Sequence, residues 1–365
     1  MTQTRAEVRV ALDLLGGDGS HEQVARVVAE GALLARADDP EVAVTLVGPT
    51  ELARAALASL GADPDGFALV PASQAVGMGE DPARAVRAKR DATVRVAARL
   101  VRDGEADACC SVGPTGAAMA AALFTLGRLP GVTRPALALT LPSPDGTVVF
   151  LDAGAGTDAG TDLLVQYALA GTALAQVRLG IARPRVGLLT VGEEPGKGDA
   201  LRKDAYAALA ALGEDAGGPL RFIGNVEGSD VPLGGRADVI VTDGHTGNVL
   251  LKGLEGAVQA VTRGLAEAAT ATDERRAAAR VLLPAFAELA ARFGAEVQGG
   301  GVLLGVQGVV VVGHGSSSPR AVASAVAAAA QAAREGLVPR VAAALADLVA
   351  RRRRVHAADE QEARA

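Results

Sequence analysis

Four turns in the sequence combine glycine with small polar residues, and each lies between an apolar segment and a helical pattern. Glycine lets a ligand approach the backbone, and the first turn of a helix carries unpaired N–H groups and a partial positive charge. With hydroxyl and amide side chains added, these features predict an anion site, most naturally for phosphate. An ordinary turn or helix-capping role remains the alternative for any single turn. The residues concerned are Asp18; Thr115 and Gly116; Asp243, Thr246, Gly247 and Asn248; and His314, Gly315, Ser316 and Ser317.

A lysine stands on the glycine-flanked segment "VGEEPGKGDAL". The segment is not an ordinary nucleotide-binding P-loop, because Gly192 and Gly196 enclose three residues where four are needed. Gly198 also stands where Ser or Thr should follow the lysine. Lys197 still offers a mobile positive charge that suits an oxyanion. An exposed surface lysine without a function is the alternative.

Several kinds of chemistry lack support in the sequence. It has no Gly-x-Ser-x-Gly elbow, no His-Glu-x-x-His helix and no Cys/His spacing typical of zinc, so we expect no metal and no cofactor. Cys109 and Cys110 are adjacent in an apolar segment, which indicates small buried side chains rather than nucleophiles. A covalent acyl-enzyme is therefore not expected.

Charge and hydropathy narrow the partners and the location. The net charge of −6 gives no reason to expect nucleic acid. Two cysteines that are poorly placed to bridge each other, and the lack of an apolar signal region, predict a reduced, cytoplasmic protein. No apolar run reaches the roughly 18 residues that a membrane-spanning helix needs.

The elements that must position these turns alternate along the chain. Short Val-, Leu- and Ile-rich segments alternate with Ala-rich helical patterns, which predicts an α/β sandwich with a mainly parallel sheet. Ligands of such sheets bind beyond the carboxyl ends of the strands. We predict one domain over 8–345, an N-terminal tail over 1–7 and a charged C-terminal tail over 346–365. Within the domain, 259–293 is predicted to be helical, interrupted at Pro284 and projecting from the body.

Seven segments resemble, in the same order, motifs of the bacterial phosphate acyltransferase family, PlsX. The resemblance extends from about Val8 to about Leu345. The segments are "ALDLLGGDG", "ADACCSVGPTGAAMAAALFTLGRLPGVTRPALALTLP", "LDAGAGTD", "RVGLLTVGEEPGKGDALRKDAY", "FIGNVEGSD", "ADVIVTDGHTGNVLLKGLEG" and "VVVGHGSSSPRAV".

The resemblance implies an enzyme that transfers a long-chain acyl group from acyl carrier protein to inorganic phosphate, giving acyl phosphate for phospholipid (phosphatidic acid) synthesis. It implies a three-layer α/β/α sandwich similar to isocitrate and isopropylmalate dehydrogenases and phosphotransacetylase. It also implies a homodimer that associates peripherally with the inner face of the cell membrane. Lys197 and Asn248 correspond to residues regarded as essential in the family, and Asp18, Asp243 and Asp158 are further pocket candidates.

The chain departs from the family pattern at three places. Pro114 stands in a turn where the family usually has Asn, and it removes a backbone donor. "GAGTD", which ends at Asp158, replaces "GANVD", and Asp199 replaces Asn after the lysine loop. The resemblance therefore extends to Lys197 and Asn248, whereas residues 113–116 and 154–158 depart from the family motif.

A helix predicted over 81–104 is rich in Arg and Lys. One interpretation is a solvated face, and the other is a docking surface for the acidic carrier protein. The docking candidates are Arg84, Arg87, Lys89 and Arg90. The segment 259–293 has a similar pair of interpretations, as an interface or core helix and as a surface that touches anionic lipid.

For the reaction, we expect bound phosphate to attack the thioester directly, with Asn248 or a turn N–H stabilising the oxyanion. Two other functions stay open on the sequence alone. One is a metal- and NAD-dependent dehydrogenase of the same superfamily shape, which would need a nucleotide site and clustered carboxylates. The other is a membrane-linked scaffold that binds acyl groups or phosphate without turnover.

Overall fold

Short apolar segments form the strands of one sheet, as their Val, Leu and Ile content predicts. This computed structural model describes residues 7–213, 220–293 and 299–348. The predicted tails, 1–7 and 346–365, lie outside these residues except at their inner ends. The strands are β1 (Val8–Asp13), β2 (Val42–Gly48), β3 (Ala68–Pro71), β4 (Ala108–Ser111), β5 (Ala136–Ser143), β6 (Gly146–Leu151), β7 (Arg185–Leu189), β8 (Arg221–Val226), β9 (Val239–Val241), β10 (Gly301–Leu304) and β11 (Val309–Val312).

The Ala-rich patterns between the strands form helices. A 3₁₀ turn covers Pro64–Gly66, and a further helical stretch covers 337–348. The α-helices are α1 (His21–Asp38), α2 (Thr50–Ser59), α3 (Pro82–Ala88), α4 (Thr93–Arg102), α5 (Thr115–Thr125), α6 (Thr161–Leu179), α7 (Ala200–Gly213), α8 (Asp230–Leu233), α9 (Gly244–Thr270), α10 (Asp273–Phe293) and α11 (Pro319–Arg334).

Helices cover both faces of the sheet. Alternate residues of β1 enter different core clusters: Leu12 joins the cluster that includes α1, α6 and α11, and Ala11 joins the one that includes α4 and α5. Small side chains allow close helix packing, since a Cβ on Gly31 of α1 would lie 2.5 Å from Val322 of α11. The expected α/β sandwich is therefore confirmed, with three layers.

The sheet has two parallel sets of strands that run in opposite directions. The strand order is β3-β2-β1-β4-β11-β10-β5-β6-β9-β7-β8, and the antiparallel pairs are β11–β10, β10–β5 and β5–β6. The expected mainly parallel sheet is thus confirmed, with antiparallel pairing at its centre.

The two sets are offset along β5. On one side Val302 of β10 pairs with Ala138, and on the other side Phe150 of β6 pairs with Leu139. Val302 also pairs with Val311, so the carboxyl end of β11 lies level with Ala138 of β5. The carboxyl end of β6, at Phe150, lies level with the adjacent Leu139. The turns that follow both sets of strands therefore leave the sheet at the level of the middle of β5.

Two helical predictions need correction. The helix predicted over 81–104 is two helices, because the chain after Lys89 returns to pair with Gln74: Gln74 forms a bridge with Ala92, and its carbonyl accepts the Thr93 N–H at 2.9 Å. The predicted interruption at Pro284 is also misplaced, since Pro284 lies inside α10. The break in 259–293 lies instead between the end of α9 and the start of α10.

Candidate functional site

The start of α9 is organised by Asp243. Its carboxylate accepts the Thr246 N–H at 2.9 Å and the Thr246 hydroxyl at 2.7 Å, and its carbonyl accepts the Gly247 N–H at 2.9 Å. Burial alone would raise the pKa of Asp243, but the bonds from Thr246 and the Arg202 guanidinium lower it below its ordinary value. Asp243 is therefore an ionised helix cap, and the Thr246 N–H is already used. Asn248 follows in the same turn and is exposed.

The loop after β6, residues 152–158, is built on Asp152. The buried Asp152 carboxylate accepts the N–H groups of Leu137, Gly154 and Gly156 at 3.0 Å each and that of Ala155 at 2.8 Å. Burial raises the pKa of Asp152 and these four bonds oppose the rise. One carboxylate therefore fixes the path of the whole loop.

The start of α9 packs directly against this loop. A Cβ on Gly244 would lie 2.1 Å from the Gly156 carbonyl oxygen, and a Cβ on Gly247 would lie 1.9 Å from the Asp152 carbonyl oxygen. Only glycine permits this approach. A Cβ on Gly154 would lie 3.3 Å from the Cβ of Asn248, which places the Asn248 side chain beside the loop.

The Lys197 loop, residues 192–198, connects β7 to α7. The Asn225 side-chain amide donates to the Glu194 carbonyl at 2.7 Å, and Arg236 pairs with Glu193. Lys197 itself is half exposed, with its Nζ 3.9 Å from the Glu194 carboxylate. Since β7 pairs with β9, this loop and the start of α9 leave neighbouring strands.

Arg202, in the first turn of α7, connects the Lys197 loop to the start of α9. Its guanidinium bonds to the Asp199 carboxylate at 3.1 Å, to Asp243, and to the Thr246 hydroxyl at 3.0 Å. Arg202 thus joins the end of the Lys197 loop to the start of the helix that carries Asn248.

A second group of turns follows β1, β4 and β11. The Asp18 N–H donates to the Gly315 carbonyl at 2.8 Å, and a Cβ on Gly315 would lie 2.8 Å from the Asp18 carboxylate. The turn after β11 is held by its own bonds: the His314 N–H donates to the Ser317 hydroxyl at 3.1 Å, and the His314 Nδ1 lies 2.8 Å from the Ser316 hydroxyl. Asp18 and residues 314–317 are therefore neighbours.

The turn after β4 leads to Thr115 and Gly116, the first residues of α5. A Cβ on Gly16 would lie 3.0 Å from the Gly113 Cα, so this turn packs against the turn after β1. Beneath them, the Ser111 hydroxyl donates to the buried Asp13 carboxylate at 2.7 Å, and burial raises the pKa of Asp13 to about 6. Pro114 caps α5 without a side-chain bond.

The docking candidates differ in how free they are. Arg84 and Arg90 are exposed, and the Arg87 guanidinium lies 4.6 Å from the centre of the Phe124 ring. The Lys89 ammonium donates to the Glu80 carboxylate at 2.6 Å and to the Ala75 carbonyl at 2.7 Å, so it is less available to a partner.

Asp158, the remaining pocket candidate, is exposed at the end of the loop after β6. Its carboxylate lies 3.9 Å from Arg134 Nη1, and its side chain is 87% exposed. The cysteines are buried: burial raises the pKa of Cys109 to about 12 and that of Cys110 well above its usual value. Neither thiol is suited to act as a nucleophile.

Three residues with central contacts were not assigned to the phosphate site from the sequence: Asp152, Asn225 and Arg202. Asp152 and Asn225 lie within quoted motifs, at or just after the ends of buried strands, which is a usable signal. Arg202 gives no comparable signal, because its partner Asp243 is distant in sequence.

Metal-binding clusters and membrane-spanning helices are both absent from the described residues. In 7–213, 220–293 and 299–348, no group of three or more His, Cys, Asp and Glu side chains could hold a metal ion. Within the same ranges, no helix is both long and apolar enough to cross a membrane.

The chain is similar in sequence to known proteins over most of its length. A family model described as fatty acid synthesis protein matches residues 8–340. The phosphate acyltransferase of Desulfitobacterium hafniense (strain Y51) is 40% identical over 334 residues, covering 92% of this chain and 96% of that protein. The phosphate acyltransferase of Thermus thermophilus is 44% identical over 335 residues, covering 92% of this chain and 97% of that protein.

Solved structures show the same fold. EutD phosphotransacetylase from Staphylococcus aureus superposes with a TM-score of 0.58 at 16% identity, covering 90% of this chain and 96% of that one. A phosphotransacetylase from Streptococcus pyogenes gives a TM-score of 0.57 at 17% identity, covering 90% and 94%. At such low identity the likeness concerns the fold alone.

Proposed function

This chain belongs to the phosphate acyltransferase family, and we propose that it transfers a long-chain fatty acyl group from acyl carrier protein to inorganic phosphate. Membership of the family makes it an acyltransferase whose reaction involves phosphate. The acyl carrier protein donor, the acyl phosphate product and its use in phosphatidic acid synthesis are the finer parts of the proposal. The strongest support from the structure is that Arg202 joins the loop of Lys197 to the helix start of Asn248.

Inorganic phosphate would bind between Lys197 and Asn248. The Lys197 ammonium is half exposed on a glycine-flanked loop, and Asn248 lies at the positive end of α9. Thr246 and Gly247 shape this end of the helix rather than supplying free N–H groups, since both N–H groups already donate to Asp243.

The second group of turns would contribute further donors. Thr115 and Gly116 open α5, and the turn from His314 to Ser317 precedes α11. The offset of the strands along β5 supports this part, because it directs the turns after both sets of strands to the same level of the sheet. Donors from both sets would then surround one anion.

The reaction would be a direct transfer. A phosphate oxygen attacks the thioester carbonyl carbon, a C–O bond forms, the C–S bond breaks, and the sulfur leaves as the carrier's thiolate. Holding phosphate in position can lower the barrier by several kcal/mol. A thiol pKa of about 8.5 means that no strong general acid is needed for the leaving group.

The oxygen of the carbonyl gains negative charge during the attack and needs N–H donors. The Asn248 side-chain amide and a turn N–H are both candidates for this role. The raised pKa values of Cys109 and Cys110 favour a route without an acyl-enzyme, because a thiol that stays protonated is a poor nucleophile.

The carrier protein would dock on α3. A Cβ on Gly116 would lie 2.7 Å from Pro82, so the first residue of α3 touches the start of α5. Arg84, two residues after Pro82, therefore lies near the proposed phosphate turns, and Arg87 and Arg90 follow it along the chain. All three could attract an acidic partner. Lys89 would act by holding α3 to Glu80.

The proposal extends to assembly and location. We expect a cytoplasmic homodimer that touches the inner face of the cell membrane through 259–293. Support comes from α9 and α10, which expose several large apolar side chains in the described part of this segment. These are Val261, Leu265, Val281, Leu282, Leu283, Phe286 and Leu289.

The deciding experiment incubates the chain with acylated carrier protein, with and without inorganic phosphate, and measures free carrier thiol and acyl phosphate. We expect both products only with phosphate, and strong losses in Lys197→Ala and Asn248→Ala. Lys252→Ala is the matched control, since its side chain is 53% exposed and that of Lys197 is 52% exposed. Thiol release that does not depend on phosphate, or full activity of Lys197→Ala, would contradict the proposal.

A further inference from the structure

We propose that Arg202 is a positioning residue, which fixes the distance between the Lys197 loop and the start of α9. This inference rests on the proposed function, since it concerns the same phosphate site. Arg202 touches neither phosphate nor thioester in this account. It acts through the two elements that carry Lys197 and Asn248.

Burial and charge single out Arg202. Its side chain is only 12% exposed, and it lies between the carboxylates of Asp199 and Asp243. A guanidinium presents a planar fork of donors that can bond two partners at once, which a lysine ammonium does with less fixed geometry. The two ion pairs therefore define one arrangement of the elements they join.

One ion pair belongs to the Lys197 side. Asp199 caps α7 by accepting the Arg202 N–H at 2.9 Å and also pairs with the Arg202 side chain. Gly198, at φ +93°, lies so close that a Cβ there would be 2.7 Å from the Arg202 Cβ. Because Lys197 directly precedes Gly198, the start of the Arg202 side chain sets where the loop ends.

The other contacts belong to the Asn248 side. The Asp243 carboxylate and the Thr246 hydroxyl both bond to Arg202 Nη2, and the same two groups form the cap of α9. Asn248 stands two residues after Thr246. A change at Arg202 therefore shifts Asn248 relative to Lys197 without removing either.

Asp199 is a carboxylate at a position where the family resemblance implies an amide. Where the family usually has Asn after the lysine loop, Asp199 supplies a charge to pair with Arg202. An amide can still cap α7, but it cannot form the ion pair. The Asp199 departure is thus explained as half of the link.

The test compares Arg202→Met with Arg185→Met. Arg185 forms a similar half-buried pair with Asp238, at 2.8 Å, but at the start of β7 rather than at its carboxyl end. For Arg202→Met we expect kcat/KM for phosphate to fall by about 100-fold, as a misplacement of about 1 Å can cause. Arg202→Lys should retain a higher kcat/KM for phosphate than Arg202→Met. Arg185→Met should lose thermal stability and keep kcat/KM.

A milder variant guards against misfolding. Asp199→Asn keeps size and capping, so we expect native circular dichroism and a smaller loss of kcat/KM. Unchanged kcat/KM in both Arg202→Met and Asp199→Asn would overturn the proposal. An equal loss of kcat/KM in Arg185→Met would also overturn it, because the effect would then be general destabilisation.

A binding measurement separates this inference from the proposed function. Inorganic phosphate should raise the Tm of the wild-type chain and of Arg185→Met, and raise that of Arg202→Met much less. This readout needs no acyl donor. If the wild-type chain binds phosphate but does not turn over acylated carrier protein, the proposed function fails and Arg202 is still tested. Equal phosphate-induced shifts in all three proteins would refute the positioning role.

Discussion

At the scale of single residues, buried carboxylates at strand ends organise the turns. Asp13 ends β1, Asp152 follows β6 and Asp243 caps α9, and each accepts at least one backbone N–H. Their surroundings differ in one respect: Asp243 has the Arg202 cation beside it, whereas Asp13 is bonded only to neutral groups. Ionisation of Asp13 is therefore costly, and that of Asp243 is not.

The sequence analysis found the turn residues but not these carboxylates' roles. Asp243 was named as a pocket candidate, and in the structure its carboxylate bonds to Thr246 and Arg202. The reason is that capping depends on local geometry, whereas a link to Arg202 depends on how two distant loops meet. The assignments of Lys197, Asn248 and the remaining pocket residues stay predictions.

The raised pKa of Asp13 gives a pH prediction. Its pKa is about 6 in the folded protein and 3.8 ordinarily, so the stability tied to its protonated form is fully present below about pH 4 and is lost as pH rises through about 6. In Asp13→Asn the side chain is neutral at every pH, so this variant lacks the loss of stability as pH rises. Relative to the variant, the wild-type chain should lose up to about 3 kcal/mol of unfolding free energy between about pH 4 and 7.

Urea unfolding of both proteins over this pH range checks the prediction. Asp238→Asn serves as a control of opposite sign: burial raises the pKa of Asp238, but Arg185 outweighs burial and lowers it. The stability that ionised Asp238 contributes is therefore lost as pH falls. A constant difference between wild type and Asp13→Asn at every pH would contradict the account of Asp13.

At the scale of elements, alternation of apolar segments and helical patterns predicted most of the fold. β10 is the exception, because Gly301–Leu304 is short and flanked by glycines and so gives little strand signal in the sequence. The single helix over 81–104 was wrong because the return of the chain to Gln74 is a tertiary contact. Local patterns carry no information on such contacts, so the sequence could not show that the chain returns to Gln74 after Lys89.

Close packing of α9 on the loop after β6 predicts the effect of a single methyl group. In Gly247→Ala the new Cβ would lie 1.9 Å from the Asp152 carbonyl oxygen, so the helix start must move. We expect a loss of about 1–3 kcal/mol in unfolding free energy. We also expect kcat/KM for phosphate to fall by about 100-fold, since Asn248 moves with the helix.

Gly253→Ala is the matched control on the same helix. A Cβ there would meet nothing within 4 Å, so the substitution should raise stability by up to about 1 kcal/mol and keep activity. Chemical unfolding and steady-state kinetics on both variants are sufficient. If Gly247→Ala behaves like Gly253→Ala, the start of α9 does not position the site.

At the scale of the whole molecule, charge and exposed apolar surface are unevenly distributed. The net charge is −6, yet α3 presents exposed arginines beside the start of α5. Exposed large apolar side chains concentrate, within the described residues, in the later part of α9 and in α10. The sequence analysis located both features, because each is a contiguous stretch of chain. It could not supply the offset along β5, which arises from strand pairing.

The arginines of α3 predict how salt affects the reaction. Arg84→Glu should raise KM for acylated carrier protein by up to about fivefold, which corresponds to the roughly 1 kcal/mol of an exposed ion pair. It should also weaken the dependence of KM on salt. Arg26→Glu, an exposed arginine on α1 at the opposite face, should leave KM unchanged. Equal effects of the two substitutions would favour the solvated-face interpretation of α3.

The apolar side chains of α10 predict an association with lipid. Leu282 and Leu283 are 52% and 58% exposed, and Arg275, Arg276 and Arg280 lie near them in sequence. Apolar side chains beside cations suit an anionic membrane surface. We expect the chain to float with vesicles that contain anionic lipid, and the double variant Leu282→Glu, Leu283→Glu to remain in the soluble fraction.

Val258→Glu tests whether any exposed apolar residue gives the same result. Val258 is 65% exposed on α9 and lies just before the segment 259–293, so its substitution should leave flotation unchanged. Light scattering on all three proteins distinguishes lipid from a second copy of the chain. A double variant that becomes monomeric, together with a wild-type chain that never floats, would mean that α10 is covered by a partner subunit. If the double variant keeps its oligomeric state but no longer floats, α10 contacts lipid. The two glutamates would then have disrupted binding to the membrane without disrupting assembly.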